Sequence, residues 1–189
     1  IIEHLILIED SMDSNDQRYL ILQNLKAASG LIYYTESLLN LDFNEIIKIK
    51  FNDIILNSIQ VMKTLFFLFH KYSNSLNVLI LSNNQIDDKC AKLLFPALQE
   101  NDSISIIDLS KNNISSEGIY YSELFFLNNT SLTTLILEHN LLGPIGIYSL
   151  CGYFRNNPKN SISVLDLGYN GLTKEGITLD ELASRYITL

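Results

Sequence analysis

The chain has 189 residues, enough for one domain with a continuous core, and its 47% hydrophobic and 18% charged content is that of a soluble globular protein. A formal net charge of −8 argues against a general nucleic-acid binder, which needs clustered Lys and Arg to neutralise phosphate. No apolar run approaches the roughly 18 residues of a membrane span, and Leu65–Phe69 is far too short.

The start, IIEHLILIED, has neither an initiator Met nor a basic region, so it does not read as a signal peptide. The chain is expected to be a piece of a longer one. Ile2, Leu5 and Leu7, with Asp10 and Met12 after them, suggest a first, degenerate strand over residues 1–12. Asp13-Ser14-Asn15-Asp16 then looks like a helix start, followed at helical spacing by Ile21, Leu25 and Ala28. Gly30 interrupts, and a second helical piece is expected from Ile32 to Leu41. Residues 1–45 therefore read as a degenerate repeat carrying an inserted helix. Residues 46–75 read as another degenerate repeat, with a strand at Ile46, Ile49 and Phe51. Ile54 and Leu56 follow that strand, and then an apolar helix from Ser58 to His70 carries Val61, Leu65, Leu68 and Phe69.

From residue 76 the pattern becomes regular. The form L-x-x-L-x-L-x-x-N-x-L appears at Leu76, Leu79, Leu81, Asn84 and Ile86, and again at Ile104, Ile107, Leu109, Asn112 and Ile114. It returns at Leu132, Leu135, Leu137, Asn140 and Leu142, and at Ile162, Leu165, Leu167, Asn170 and Leu172. The spacings are 28 (76 to 104), 28 (104 to 132) and 30 (132 to 162), which divides the chain into repeats 76–103, 104–131, 132–161 and 162–189. Alternation at Leu79 and Leu81 sends both to one face of a short strand, with Ile80 on the other. Such a strand cannot bury its face alone, so the copies must stack into a parallel sheet. The chain then turns inward, and an amide at Asn84, Asn112, Asn140 and Asn170 can both donate to and accept from the buried backbone there. These four asparagines are structural. Cys90, Gly118, Gly146 and Gly176 each open a helical pattern in the crossover that follows; Leu93, Leu94, Ala97 and Leu98 show it in the first, and Ile147, Leu150 and Phe154 in the third. A last helix is expected from Gly176 to about Tyr186, and its open end would take further repeats or a subunit stacked upon it.

This repeat resembles that of leucine-rich repeat proteins, in the ribonuclease-inhibitor-like subtype found in NOD-like receptors and Ran GTPase activators. The resemblance implies an α/β leucine-rich-repeat solenoid, curved, with a parallel inner sheet and outer helices. Helices pack about 8–10 Å apart and strands about 4.8 Å apart, so the sheet must line the inner, concave wall. The resemblance also implies a protein-interaction scaffold using that wall in a larger intracellular assembly, cytoplasmic and in a cytoskeletal or ciliary setting. An innate-sensor repeat domain and a bacterial effector are further settings. The alternative it raises is a GTPase activator of the Ran-activator type. Arg18, Arg155 and Arg185 are the only arginines, all placed on predicted helices away from the wall, which does not favour an arginine finger.

Motifs for chemistry are lacking: there is no phosphate-cradling G-x-x-x-x-G-K-[ST], no G-x-G-x-x-G and no H-E-x-x-H, and nothing asks for a cofactor. His4, His70 and His139 sit in unrelated repeats. His139 with Glu138, Ser110 and Asp108 invites a triad, but a flat open wall offers no pocket and no oxyanion donors. His139, Glu138 and Asp166 lack the spacing of metal ligands. The chain reads as a non-enzyme. Cys90 and Cys151 fall on helices two repeats apart, beyond disulfide reach, and are expected as free, packed thiols in a reducing compartment. Sequons at Asn113-Ile-Ser and Asn129-Thr-Ser read as chance in an asparagine-rich chain.

The informative surface is the wall. Alternation points Lys48 and Lys50, Val78 and Ile80, Ile106 and Asp108, Thr134 and Ile136, and Val164 and Asp166 away from the core. Asn52, Ser82, Ser110, Glu138 and Gly168 form the next row, and Asp53, Asn83, Lys111, His139 and Tyr169 the row beyond. Val78, Ile80, Ile106, Ile136 and Val164 are expected to make a contiguous apolar stripe flanked by Asp108, Glu138 and Asp166. With Thr134, His139 and Tyr169, these are the candidate contacts for a protein partner; nucleic acid and membrane are not expected.

Overall fold

Among the described residues seven strands form one sheet whose spatial order is the chain order: β1 (Leu7–Asp10), β2 (Arg18–Gln23), β3 (Ile46–Asn52), β4 (Val78–Ile80), β5 (Ile106–Asp108), β6 (Thr134–Ile136) and β7 (Val164–Asp166). The computed structural model describes residues 7–10, 18–23, 46–52, 65–66, 69–70 and 74–171. Strands β2 to β7 are all parallel, and β1 alone runs antiparallel, against β2. Consecutive parallel neighbours, joined from β4 to β7 by helical crossovers, make an α/β leucine-rich-repeat solenoid.

The repeat spacing sets the register. Ile49, Leu79, Ile107, Leu135 and Leu165 stand opposite one another across β3 to β7. The first four are fully buried, and Leu165 packs against the core half-buried. The next inward layer, Phe51, Leu81, Leu109, Leu137 and Leu167, is also buried. Each such side chain removed from water contributes about 1.5–3 kcal/mol, so the leucine layers stabilise the stack. Although β4 to β7 have three residues each, the ladder continues into the turn: Leu81, Leu109 and Leu137 donate to the carbonyls of Asp108, Ile136 and Asp166, each at 2.8 Å.

Among the described residues four helices cover the outer side of the regular repeats: α1 (Asp88–Leu98), α2 (Ser116–Tyr120), α3 (Glu123–Asn128) and α4 (Gly143–Asn156). The helices start two or three residues before Cys90, Gly118 and Gly146, because the caps lie further upstream. Asp87 accepts from the Cys90 N–H, and Ser115 Oγ accepts from the Glu117 N–H. Helix α4 has no side-chain cap and instead carries Pro144 in its first turn, which removes one of the orphan donors. The second crossover is divided. Tyr121 and Ser122 close on Gly118 and Ile119 three residues back, and Ser122 Oγ donates to the Ile119 carbonyl at 2.6 Å, ending α2. Helix α3 then drives Phe125 and Phe126 inward, where they link Phe95 of α1 to Phe154 of α4 in a chain of ring contacts 5.1–6.4 Å apart.

The N-terminal region departs from the sequence pattern. Helical spacing at Ile21, Leu25 and Ala28 predicts a helix, but Arg18–Gln23 is a strand, paired parallel to β3 and antiparallel to Leu7–Asp10. Leu20, Ile21 and Leu22 form a continuous apolar run that suits a buried strand as well as a helix, and here the ladder of β3 decides it. A strand runs over Leu7–Asp10, inside the expected 1–12, and Ile2, Leu5 and Met12 lie outside the described residues. The rest of the expected insertion (24–45), Ile54, Leu56, Val61, Leu68 and the helix from Gly176 lie outside the described residues. Within the expected apolar helix, Leu65 and Phe69 are buried while Phe66 and His70 are exposed.

Small residues recur where helices meet. A Cβ on Gly118 would collide with Asp88 Oδ1 and lie 2.8 Å from Ile114 Cγ2, whereas one on Gly152 meets nothing within 4 Å. Asp88 cannot yield easily, since its carboxylate accepts from the Ser115 N–H at 2.8 Å and from Ser115 Oγ at 2.6 Å across the repeat boundary. Gly118→Ala should therefore destabilise the fold by about 1–3 kcal/mol. Gly152→Ala should stabilise it by about 0.5–1 kcal/mol through helix propensity. Urea unfolding checks the pair, and equal effects of one sign would refute the close approach.

Both cysteines are free and buried, Cys90 on α1 and Cys151 on α4. Burial, reinforced by the hydrogen bond and charge of Asp87, pushes the Cys90 thiol up to about 12, and burial raises Cys151. They pack as small apolar groups.

Candidate functional site

The outward side chains of β3 to β7 fall into two rows fixed by strand register. Lys48, Val78, Ile106, Thr134 and Val164 make one row; Lys50, Ile80, Asp108, Ile136 and Asp166 make the other. All are half-buried except Val164, which is 50% exposed. The apolar residues thus form one nearly continuous row, interrupted by Thr134. In the second row, Ile80 and Ile136 alternate with Asp108 and Asp166. Within these two rows both lysines lie on β3 and the two aspartates on β5 and β7, so the rows are polarised.

The two aspartates are held in the same way. Asp108 Oδ1 accepts from the Ser110 N–H at 2.9 Å, and Asp166 Oδ1 accepts from the Gly168 N–H at 3.0 Å. One oxygen of each carboxylate is thereby tied to its own turn, which fixes the side-chain direction while leaving the charge. Glu138 lies beside Gly168 and 3.6 Å from His139 Nε2. His139 stacks flat on Tyr169, centroids 4.1 Å apart and planes 2° from parallel. Tyr169 remains 76% exposed, so the pair stands as a small aromatic ledge at the rim of the wall.

That rim has an unusual backbone. Asn83, Lys111, His139 and Tyr169 all have φ between 54° and 57°, the left-handed region that most L-residues avoid. The conformation turns the chain into the buried asparagines. Asn112 Nδ2 donates to the Leu81 and Leu109 carbonyls at 2.9 Å, and its Oδ1 accepts from the N–H groups of Asn84 at 3.0 Å and Ile86 at 2.9 Å. Asn140 and Asn170 donate to Leu109 and Leu137 of the repeats before them, and Asn84 donates to Phe51 at 2.6 Å.

A second asparagine ladder escaped the sequence reading. Asn101, Asn129 and Asn157 lie at the helix ends; Asn129 donates to the Asn101 carbonyl at 3.0 Å and Asn157 to the Asn129 carbonyl at 2.7 Å. Their Oδ1 atoms accept from the backbone two or three residues on, for instance Ile104 N–H at 2.7 Å and Leu132 N–H at 2.8 Å. The signal was present in the 28-residue spacing of Asn101 to Asn129 and Asn129 to Asn157. It also accounts for the sequon at Asn129, whose amide is committed to the fold.

Ser110, Asp108 and His139 do not form a proton relay. Asp108 is engaged with the Ser110 backbone, Ser110 is 8% exposed, and His139 is turned onto Tyr169. Among the described residues no group of three His, Cys, Asp or Glu side chains gathers for a metal, and no helix is long and apolar enough to cross a membrane. The helical side carries apolar surface that the repeat pattern does not announce: Tyr120, Leu124, Leu141, Ile145 and Tyr148 are all well exposed.

The family model described as Leucine Rich repeat matches residues 72–95, 100–121, 128–151 and 159–179, one match to each regular repeat. No curated protein matches the chain. Among solved structures, the tropomodulin C-terminal domain of Caenorhabditis elegans has a TM-score of 0.61 at 13% identity, over 84% of this chain and 90% of that one. The leiomodin-1 structure titled actin-binding site 2 has a TM-score of 0.48 at 17% identity, over 72% of this chain and 76% of that one. At such identities the first likeness is one of fold.

Proposed function

The chain belongs to the leucine-rich repeat family, and we propose that it is a protein-interaction scaffold whose partner seats on the sheet wall of β3 to β7. One observation carries the reading: the wall presents β-branched apolar side chains in register, Val78, Ile80, Ile106, Ile136 and Val164, on the face of the sheet turned away from the core. Partly exposed apolar surface bordered by fixed charge is the composition of an interface centre with a polar rim. The pairing of a short strand with a helix in 28 residues fits the ribonuclease-inhibitor-like subtype, and the two buried free thiols suit a reducing, intracellular setting.

Site-directed photo-crosslinking tests the placement. A crosslinking side chain at Thr134, in the centre of the wall, should trap the partner, and one at Arg155, exposed on α4, should not. Trapping at Arg155 alone would overturn the reading.

A further inference from the structure

The spacing and sign of the wall charges specify what shape of partner fits, on the premise that the wall is the site. We propose that the occupant is an amphipathic helix lying across the strands, with two basic residues seven apart over Asp108 and Asp166 and an acidic end over Lys48 and Lys50. Register places Lys50, Ile80, Asp108, Ile136 and Asp166 opposite one another on five successive strands. Adjacent strands are about 4.8 Å apart, so like positions on alternate strands are about 9.6 Å apart. A helix rises about 1.5 Å per residue, so residues i and i+7 on one face lie about 10.5 Å apart, and i to i+3 or i+4 about 4.5–6 Å. Those two steps match the alternation of apolar and acidic positions along the row. An extended peptide does not. It advances about 3.3 Å per residue, and residues on one face repeat at about 6.6 or 13 Å; the three-residue step that would fit turns the side chain away from the wall.

The charges then orient the helix. Asp108 and Asp166 are held by the Ser110 and Gly168 N–H groups, so both present their remaining carboxylate oxygen from the same geometry, two strands apart. The partial positive charge of a helix N-terminus favours placing that end over β5 to β7 and the C-terminal half toward the lysines. An apolar residue between the two basic positions meets Ile136, and one between the second basic position and the acidic end meets Ile80.

The test uses fluorescein-labelled synthetic helical peptides of about 18 residues, read by fluorescence anisotropy. One carries two lysines seven apart on the apolar face and a glutamate seven further on; its control has the same composition with the lysines moved to the opposite face. The in-register peptide should bind at least tenfold more tightly, and the preference should shrink in about 1 M salt, where charges are screened beyond about 3 Å. In the protein, Asp108→Asn with Asp166→Asn keeps an oxygen for the two N–H groups, so circular dichroism should hold while the preference falls to near unity. Equal binding of both peptides, or a preference that survives the double substitution, overturns the helix proposal. If the Thr134 crosslink forms in that case, the wall remains the interface and only the helical occupant is wrong.

Discussion

Asn112→Leu should cost about 4 kcal/mol of stability, measured by urea unfolding against an Asn113→Leu control that costs almost nothing. Asn112 is 5% exposed, and its amide joins two repeats. It gives hydrogen bonds to Leu81 and Leu109 and receives them from the Asn84 and Ile86 N–H groups, which belong to fully buried residues. Leucine fills the volume and satisfies none of these groups. Each buried backbone group left without a partner costs about 1–3 kcal/mol, and two N–H groups and the Leu81 carbonyl lose theirs together. The loss also acts at a boundary between neighbours, which is where a repeat array holds its cooperativity. Asn113, by contrast, is exposed and contributes its backbone N–H to the Ile86 carbonyl, which leucine retains. A loss below about 1 kcal/mol for Asn112→Leu would mean that water replaces the side chain, and that the turn is not built around it.

The regular repeats were legible because one physical demand, burial of Leu79, Ile107 and Leu135 in register, recurs at a fixed interval and leaves little room for another reading. The outward rows followed from the same alternation. What alternation could not reveal is how the outward groups are held. The common direction of Asp108 and Asp166 depends on hydrogen bonds to the following turn, and the His139–Tyr169 stack depends on two residues in left-handed backbone. Of the four left-handed rim positions Asn83 and His139 carry residue types enriched in the conformation; Lys111 and Tyr169 carry no such mark. The second asparagine ladder was hidden for the opposite reason, because asparagine is so frequent here that its periodic members do not stand out. At the N-terminal end, Arg18–Gln23 has an apolar run too short to choose between helix and strand, and the neighbouring strand chose.

Replacing Ile80 and Ile136 together by lysine should weaken partner binding by about a hundredfold, or roughly 2.7 kcal/mol. Each isoleucine is already half-buried in the free protein, so a partner completes only part of a burial worth about 1.5–3 kcal/mol per side chain. Two such losses come to about 2–3 kcal/mol. The new lysines would also stand next to Asp108 and Asp166 in the same row, neutralising the acids that a basic partner would meet. The fold should suffer little, because the pairing of Ile80→Lys with Lys50 is offset by Asp108 on its other side, Ile136→Lys lies between Asp108 and Asp166, and neither residue belongs to the core. Unchanged circular dichroism and melting temperature would confirm that only the surface has changed. The matched control is Ile145→Lys, the same substitution at a position 73% exposed on α4, beside the apolar surface of Tyr120, Leu124 and Tyr148. It should leave binding intact. If the control abolishes binding while the double variant retains it, recognition belongs to the helices, and the ordered rows of the sheet wall serve the fold alone.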